Sequence, residues 1–427
     1  MAPNRIIIDT DPGVDDVLAM LLALSAKKEE LEVVMLSLTF GNVEVQNCLR
    51  NVVTLFHYIE KEMAWRRENG REEGFEALVA RKPIVAVGAE EPLAEHMMVA
   101  DFFHGVDGLG GIHHSHPHMS PAETWKSLFK PTPEPLNAEE AAELEKVKQA
   151  HSLFTPSLKP AHEEMLKLLR DNEPDTITIV AIGPLTNLAI AAATDPEAFL
   201  RVKEVVVMGG AVNWPGNPPN LALLSSPALT SLPITPFSLT KQPPTPLRHA
   251  LNHRNQMTPV KLFPLDITEQ HLLPRTLFNS YITSPSLTSS PLKSWVELFL
   301  LSTFRKIASL DTHLNPETIG LQLHDPLPIW YALCARDPKW DFVTEDLRVE
   351  TSGQWTRGCC VVDRRGREVK KGLEGPLEED VVGDAGGWRD ERRGNRVERC
   401  VGSPGEEEFA GVLLRRVFGG SVVGEGR

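Results

Sequence analysis

A chain of 427 residues, 41% of them apolar, is long enough to bury a substantial core as one large domain with insertions or as two ordinary ones. Its 58 acidic side chains outnumber 44 basic ones, and a net charge of −14 without a basic stripe argues against a nucleic-acid polymer as ligand. No apolar run reaches the roughly 18–20 residues of a bilayer-spanning helix, and Asp9 and Asp11 stand where an export signal would need apolar text, so a cytoplasmic or nuclear protein with no membrane partner is expected.

Short β-branched runs recur in chain order: RIII before Asp9, then LEVVMLSLTF, PIVAVG, TITIVAIG, VKEVVVMGG and VKLFPLDIT. Each ends in a polar or glycine turn and leads into helical text, such as DVLAMLLALSA after Asp15 and PLTNLAIAAATDPEAF. That alternation predicts an α/β fold with a mostly parallel central sheet flanked by helices. Residues 60–80 are charged and helix-prone and read as a surface insertion between the second and third strands. Residues 112–162 open on IHHSHPHMSP and read as a mobile loop plus a helix, with His113, His114, His116 and His118 expected in solvent rather than on a metal.

Residues 218–257 hold eight prolines and no Asp, Glu or Gly, unlike the text on either side, and show no helix or strand period. Beyond about residue 366 the chain turns rich in glycine and in both charge signs, and EEEFAGVLLRRVF is expected to close the fold as a helix. The expected organisation is one α/β domain over residues 1–365, interrupted by the atypical segment 218–257, followed by a tail over 366–427. Five cysteines without a CxxC pair read as reduced thiols, neither a zinc site nor a disulfide frame.

Chemistry concentrates where strands end, because ligands of open parallel sheets bind beyond the strands' carboxyl ends. The first strand runs into DTDPGVDD, which places Asp9, Asp11, Asp15 and Asp16 within eight residues. Buried together, these carboxylates could not all stay ionised without a cation, and an all-oxygen donor set favours calcium or magnesium over zinc. Capping of the following helix in solvent is the plainer account of any single aspartate in the run.

The motif DTDPGVDD is the hallmark of the inosine-uridine-preferring nucleoside hydrolases, and the chain resembles that family over residues 4–217 and 258–365. Supporting stretches follow in order: TFGN at Thr39, HGVDGLGG at His104, AIGPLTNLA at Ala181, VVMGGAVNWPGN ending at Asn217, PLDIT at Pro264 and HDPLP at His324. The resemblance implies hydrolysis of ribonucleosides to ribose and free base, as in purine and pyrimidine salvage. It implies a Ca2+ ion held by Asp11, Asp16, the main-chain oxygen of Ile182 and Asp325. It also implies Asp11 as acceptor of the water's proton, Asp15 and Asn42 on ribose hydroxyls, Met208 lining the pocket, Asn217 reaching the sugar and His324 assisting the base. Dimers or tetramers are the assembly it suggests, and base preference stays open.

Family members continue past the equivalent of Asn217 into a TPxAEFN stretch whose Glu and Asn bind ribose, and segment 218–257 stands in its place. Two further functions therefore stay in view: a calcium-binding pseudoenzyme with an impaired ribose site, and a phosphotransferase using DTD as its nucleophile motif, against which PGVDD and HDPLP argue. We attribute the compositional break at 218–257 to a frame slip or a mis-set intron boundary. Sequencing the transcript across this region should reveal the shifted frame; an mRNA encoding the residues as written contradicts this reading.

Overall fold

The structure is a computed structural model and describes residues 2–93, 103–131, 138–213, 259–310, 319–350, 359–366, 384, 386–390 and 395–419. Its first strand, β1 (Asn4–Thr10), alternates its isoleucines across the pleat: Ile6 and Ile8 enter one apolar core and Ile7 another. Both faces of the sheet are therefore covered, which is why the strand reads as an unbroken apolar run.

The strands that follow are β2 (Leu31–Leu38), β3 (Ile84–Val87), β4 (Thr155–Pro156), β5 (Ile177–Ala181), β6 (Glu204–Met208) and β7 (Val260–Phe263). After them come β8 (Leu272–Pro274), β9 (Gly320–Gln322), β10 (Asp341–Val349), β11 (Cys360–Val362) and β12 (Arg396–Gly402). Ten strands make one sheet in the order β11-β10-β12-β7-β6-β5-β1-β2-β3-β4. Pairing is parallel from β4 to β12 and antiparallel only for β10 against β12 and β11 against β10, so the mostly parallel sheet predicted from the alternation is observed. A separate antiparallel pair joins β8 to β9.

Strand order fixes where a ligand can lie. From β1 the chain proceeds outward through β2, β3 and β4, then crosses back to place β5 on the other side of β1. The order reverses between β1 and β5, and a crevice opens beyond their carboxyl ends at such a reversal. Residues 11–16 and 182–183 border it.

Two expectations are corrected. Residues 60–80 are only partly at the surface: the helix Val45–Glu68 extends into them, and Glu62, Arg66, Phe75, Ala77 and Leu78 are buried while residues 67–70 are exposed. Arg66 Nε lies 2.8 Å from Glu62 Oε1 and its Nη2 donates to Val417 O at 2.8 Å, while Glu62 Oε2 accepts from Ser290 Oγ at 2.7 Å and from Leu292 N. Charged text here encodes a buried ion pair that ties this helix to the helices Pro291–Leu310 and Glu406–Phe418. His113, expected in solvent, is instead held by Ser120 Oγ and by Asn51 Oδ1 at 2.7 Å, whereas His114 and His118 are exposed as expected.

The helix Glu406–Phe418 forms where the amphipathic stretch predicted it and buries Phe409, Leu413, Leu414, Val417 and Phe418 against the main core. β12, which precedes it, pairs with β7 inside the large sheet, so residues 396–418 are built into the same fold as the first strands. The five thiols are free, and no helix among the described residues is long and apolar enough to cross a membrane. Segment 218–257 lies outside the described residues.

Removing one member of a buried ion pair strands the other charge. Arg66→Met is expected to cost about 3 kcal/mol in urea unfolding, and Arg67→Met, whose partner Glu73 lies in solvent, is expected to leave the unfolding curve where it was.

Candidate active site

Asp9 in β1 stands in register with Ser37 of β2 and Ala181 of β5. Its Oδ1 accepts from the Ser37 hydroxyl and, at 2.9 Å, from Asn187 Nδ2. Asn187 Nδ2 also donates to Leu38 O at 3.0 Å, and its Oδ1 accepts from Ala89 N at 2.8 Å. One amide thus ties β1, β2 and the turn after β3 together, a larger role than the helix capping its place in PLTN suggests. Gly88 permits this, since a Cβ there would lie 2.1 Å from Asn187 Oδ1. Burial pushes the Asp9 carboxyl up to about 7.

Beyond β1 the chain turns through Asp11–Gly13 into the helix Val14–Leu24, and Asp16 in its first turn gathers the turn's donors. Thr10 Oγ1 (2.6 Å), Gly13 N (3.0 Å), Asn42 Nδ2 (2.9 Å) and Asp11 N (3.3 Å) all donate to its carboxylate. An acceptor at a helix N-terminus meets free N–H groups and the positive end of the dipole. Asp11 Oδ2 accepts from Asn42 N at 2.7 Å, and its carboxylate is wedged between two glycines. A Cβ at Gly41 would lie 2.0 Å from Asp11 Oδ2, and one at Gly183 would lie 2.7 Å from its Oδ1. TFGN and AIGP therefore need their glycines to let the backbone approach this one side chain.

Asp325 reaches the same place from the far end of the chain, at the start of the helix Pro326–Cys334. Ligand oxygens of Asp15, Asp16 and Asp325 lie within 4.8 Å of one another, and all three residues are buried. Burial raises Asp11 and Asp325 well above the usual carboxylate range, and the neighbouring aspartates raise both further. Burial, followed by the Asp16 charge, brings Asp15 up to about 7. Among the described residues no lysine or arginine pairs with these groups; His104 Nδ1 lies 3.9 Å from Asp15 Oδ1.

Ile182 directly follows β5, and its N–H donates to Asp9 O at 2.8 Å. Both amide hydrogens of Asn42 are committed, to Asp11 O and Asp16 Oδ2. Met208 ends β6, half-buried against the main core. His324 is buried beside Asp325; burial and the nearby His104 push it down to about 3, so its ring is neutral at ordinary pH. Asn217 lies outside the described residues.

Two contributors carry little local signal. His104, quoted above only as part of a motif, accepts from Val14 N at 3.1 Å through Nδ1, and burial lowers it to about 4. Asn51 donates to Pro12 O and to Asp107 O, both at 2.8 Å, and so clamps the HGVDGLGG loop onto the DPG turn. Its one sequence signal is a polar amide on the apolar face of a helix. Asp107 finishes the clamp by accepting from Leu109 N, Gly111 N and His113 N.

Comparison with known proteins identifies the family and the fold. The family described as inosine-uridine preferring nucleoside hydrolase matches residues 6–222. The pyrimidine-specific ribonucleoside hydrolase RihA of Klebsiella pneumoniae is 27% identical over 363 residues, 84% of this chain and 88% of that protein. Uridine nucleosidase 1 of Arabidopsis thaliana is 33% identical over 218 residues, 50% of this chain and 47% of that one. Among solved structures, the plant nucleoside hydrolase PpNRh1 superposes with a TM-score of 0.61 at 22% identity, covering 97% of this chain and 99% of its own. An inosine-guanosine nucleoside hydrolase gives 0.60 at 20% identity, covering 97% and 98%, and these two likenesses speak for the fold. The chain belongs to the inosine-uridine preferring nucleoside hydrolase family, and is an enzyme of the class that hydrolyses N-ribosyl bonds.

Proposed function

We propose that this chain cleaves ribonucleosides to ribose and free base in a calcium-dependent reaction that serves base salvage in the cytoplasm. The observation that carries the calcium dependence is the buried cluster of Asp15, Asp16 and Asp325 at the crevice beyond β1 and β5. Its donors are hard carboxylate oxygens with no thiolate, and only a cation lets them share one dry site while ionised. The residues fit such an ion.

Asp11, Asp16, Asp325 and the Ile182 main-chain oxygen are the proposed ligands, and Asp15 stands in the same cluster as Asp16 and Asp325. Bound there, calcium would offset part of the cluster's negative charge, lower the pKa of a water and orient the ribose diol. The protein's own groups do the rest. Asp11, fixed by Asn42 N and by its two flanking glycines, accepts the proton of the attacking water, a contribution of about 10²- to 10⁴-fold. The water oxygen bonds to C1′ while the C1′–N bonding pair leaves with the base, and anionic surroundings stabilise the oxocarbenium-like sugar between them. Asp15 and Asn42 Oδ1 accept from ribose hydroxyls, Met208 supplies an apolar wall, Asn217 is assigned to the sugar and His324 attends the base. Assembly as a dimer or tetramer belongs to the same proposal.

Relatives named for pyrimidine and for purine nucleosides both lie near this chain, so uridine and inosine are both to be assayed. Ribose release from each is expected with calcium, to vanish on chelation, and to fall at least about a hundredfold in Asp11→Ala. A folded chain that binds calcium and releases no ribose contradicts the proposal and selects the pseudoenzyme that the missing TPxAEFN stretch suggests.

A further inference from the structure

We infer that Thr268 is a positioning residue that fixes the tautomer of His324, so that the ring presents Nε2–H to the departing base. The inference rests on the hydrolase reading above. Thr268 is fully buried at the end of the helical turn Leu265–Thr268, and its Oγ1 lies 2.8 Å from His324 Nδ1. Among the described residues that ring nitrogen is the one hydrogen-bond partner of the hydroxyl.

The direction of the bond follows from satisfying buried groups. If Nδ1–H donated to Oγ1, the hydroxyl proton would point into the core without an acceptor, a costly arrangement. If the hydroxyl donates to Nδ1, both groups are satisfied and the ring's one proton sits on Nε2. Nδ1 is then spent, and Nε2–H is the donor left to meet a ring nitrogen or oxygen of the base as the C1′–N pair moves onto it.

The segment that carries Thr268 is itself anchored. His271 Nδ1 donates to Ile267 O at 2.9 Å, because a carbonyl can only accept. Its Nε2 must therefore accept from Ser403 Oγ, 2.8 Å away, which ties residues 267–271 to the turn before the last helix. His271 O in turn accepts from Leu323 N at 2.8 Å, so one short segment holds both the backbone before His324 and its ring.

The test compares Thr268→Val and Thr268→Ser on inosine, uridine and p-nitrophenyl β-D-ribofuranoside, whose phenolate leaves without help. Thr268→Val should lose about tenfold or more in kcat on the two nucleosides relative to its loss on the nitrophenyl riboside, and Thr268→Ser should stay within about threefold of wild type. Nitrogen NMR of the wild-type imidazole should show Nε2 protonated and Nδ1 bare, with both tautomers present in Thr268→Val. Equal losses on all three substrates, or a wild-type ring protonated on Nδ1, would overturn the inference. A wild-type chain inert on all three substrates removes the hydrolase reading, and the catalytic half of this inference with it, while the NMR result still decides the tautomer.

Discussion

Carboxylates repel one another more strongly as water is withdrawn, and this chain withdraws it from five of them at the carboxyl end of its central strands. Asp9, Asp11, Asp15, Asp16 and Asp325 are all buried, and no lysine or arginine pairs with any of them among the described residues. The structure handles the charges in three ways. Asp9 is pushed toward neutrality and given hydroxyl and amide donors, Asp16 is placed at a helix N-terminus among four donors, and Asp15, Asp16 and Asp325 converge as oxygen ligands do around a hard cation.

Everything near the cluster serves its placement. The strand reversal between β1 and β5 opens the crevice, and Gly41 and Gly183 let two neighbouring turns close on Asp11. Polar residues from distant parts of the chain then lock those turns. Asn187 fastens the sheet floor, Asn51 clamps the loop that carries His104, and Thr268 meets the ring of His324. These amides and hydroxyls reach across 39 to 178 residues of sequence, which makes the site a property of the whole sheet rather than of one motif.

The strands and the aspartate run were legible because each is local. Apolar runs ending in polar or glycine turns marked β1, β2, β3, β5, β6 and β7, and the octapeptide located the acidic cluster. Asn51 and Thr268 were not legible, because a single polar residue on a buried face looks the same whether it caps, packs or clamps; only the fold brings Asn51 to Pro12 O. Charge misled in the helix Val45–Glu68, where Glu62 and Arg66 read as surface residues although each satisfies the other in the core. The same blindness to partners made His113 look like a solvent residue.

If the aspartate cluster needs a cation to share one dry site, unfolding of the chain depends on calcium. Calcium at about a hundredfold excess over its Kd should stabilise the folded chain by about 2.7 kcal/mol relative to a chelated sample, and Asp16→Asn should abolish that gain. Identical unfolding of the wild-type chain with calcium and with chelator would contradict the account.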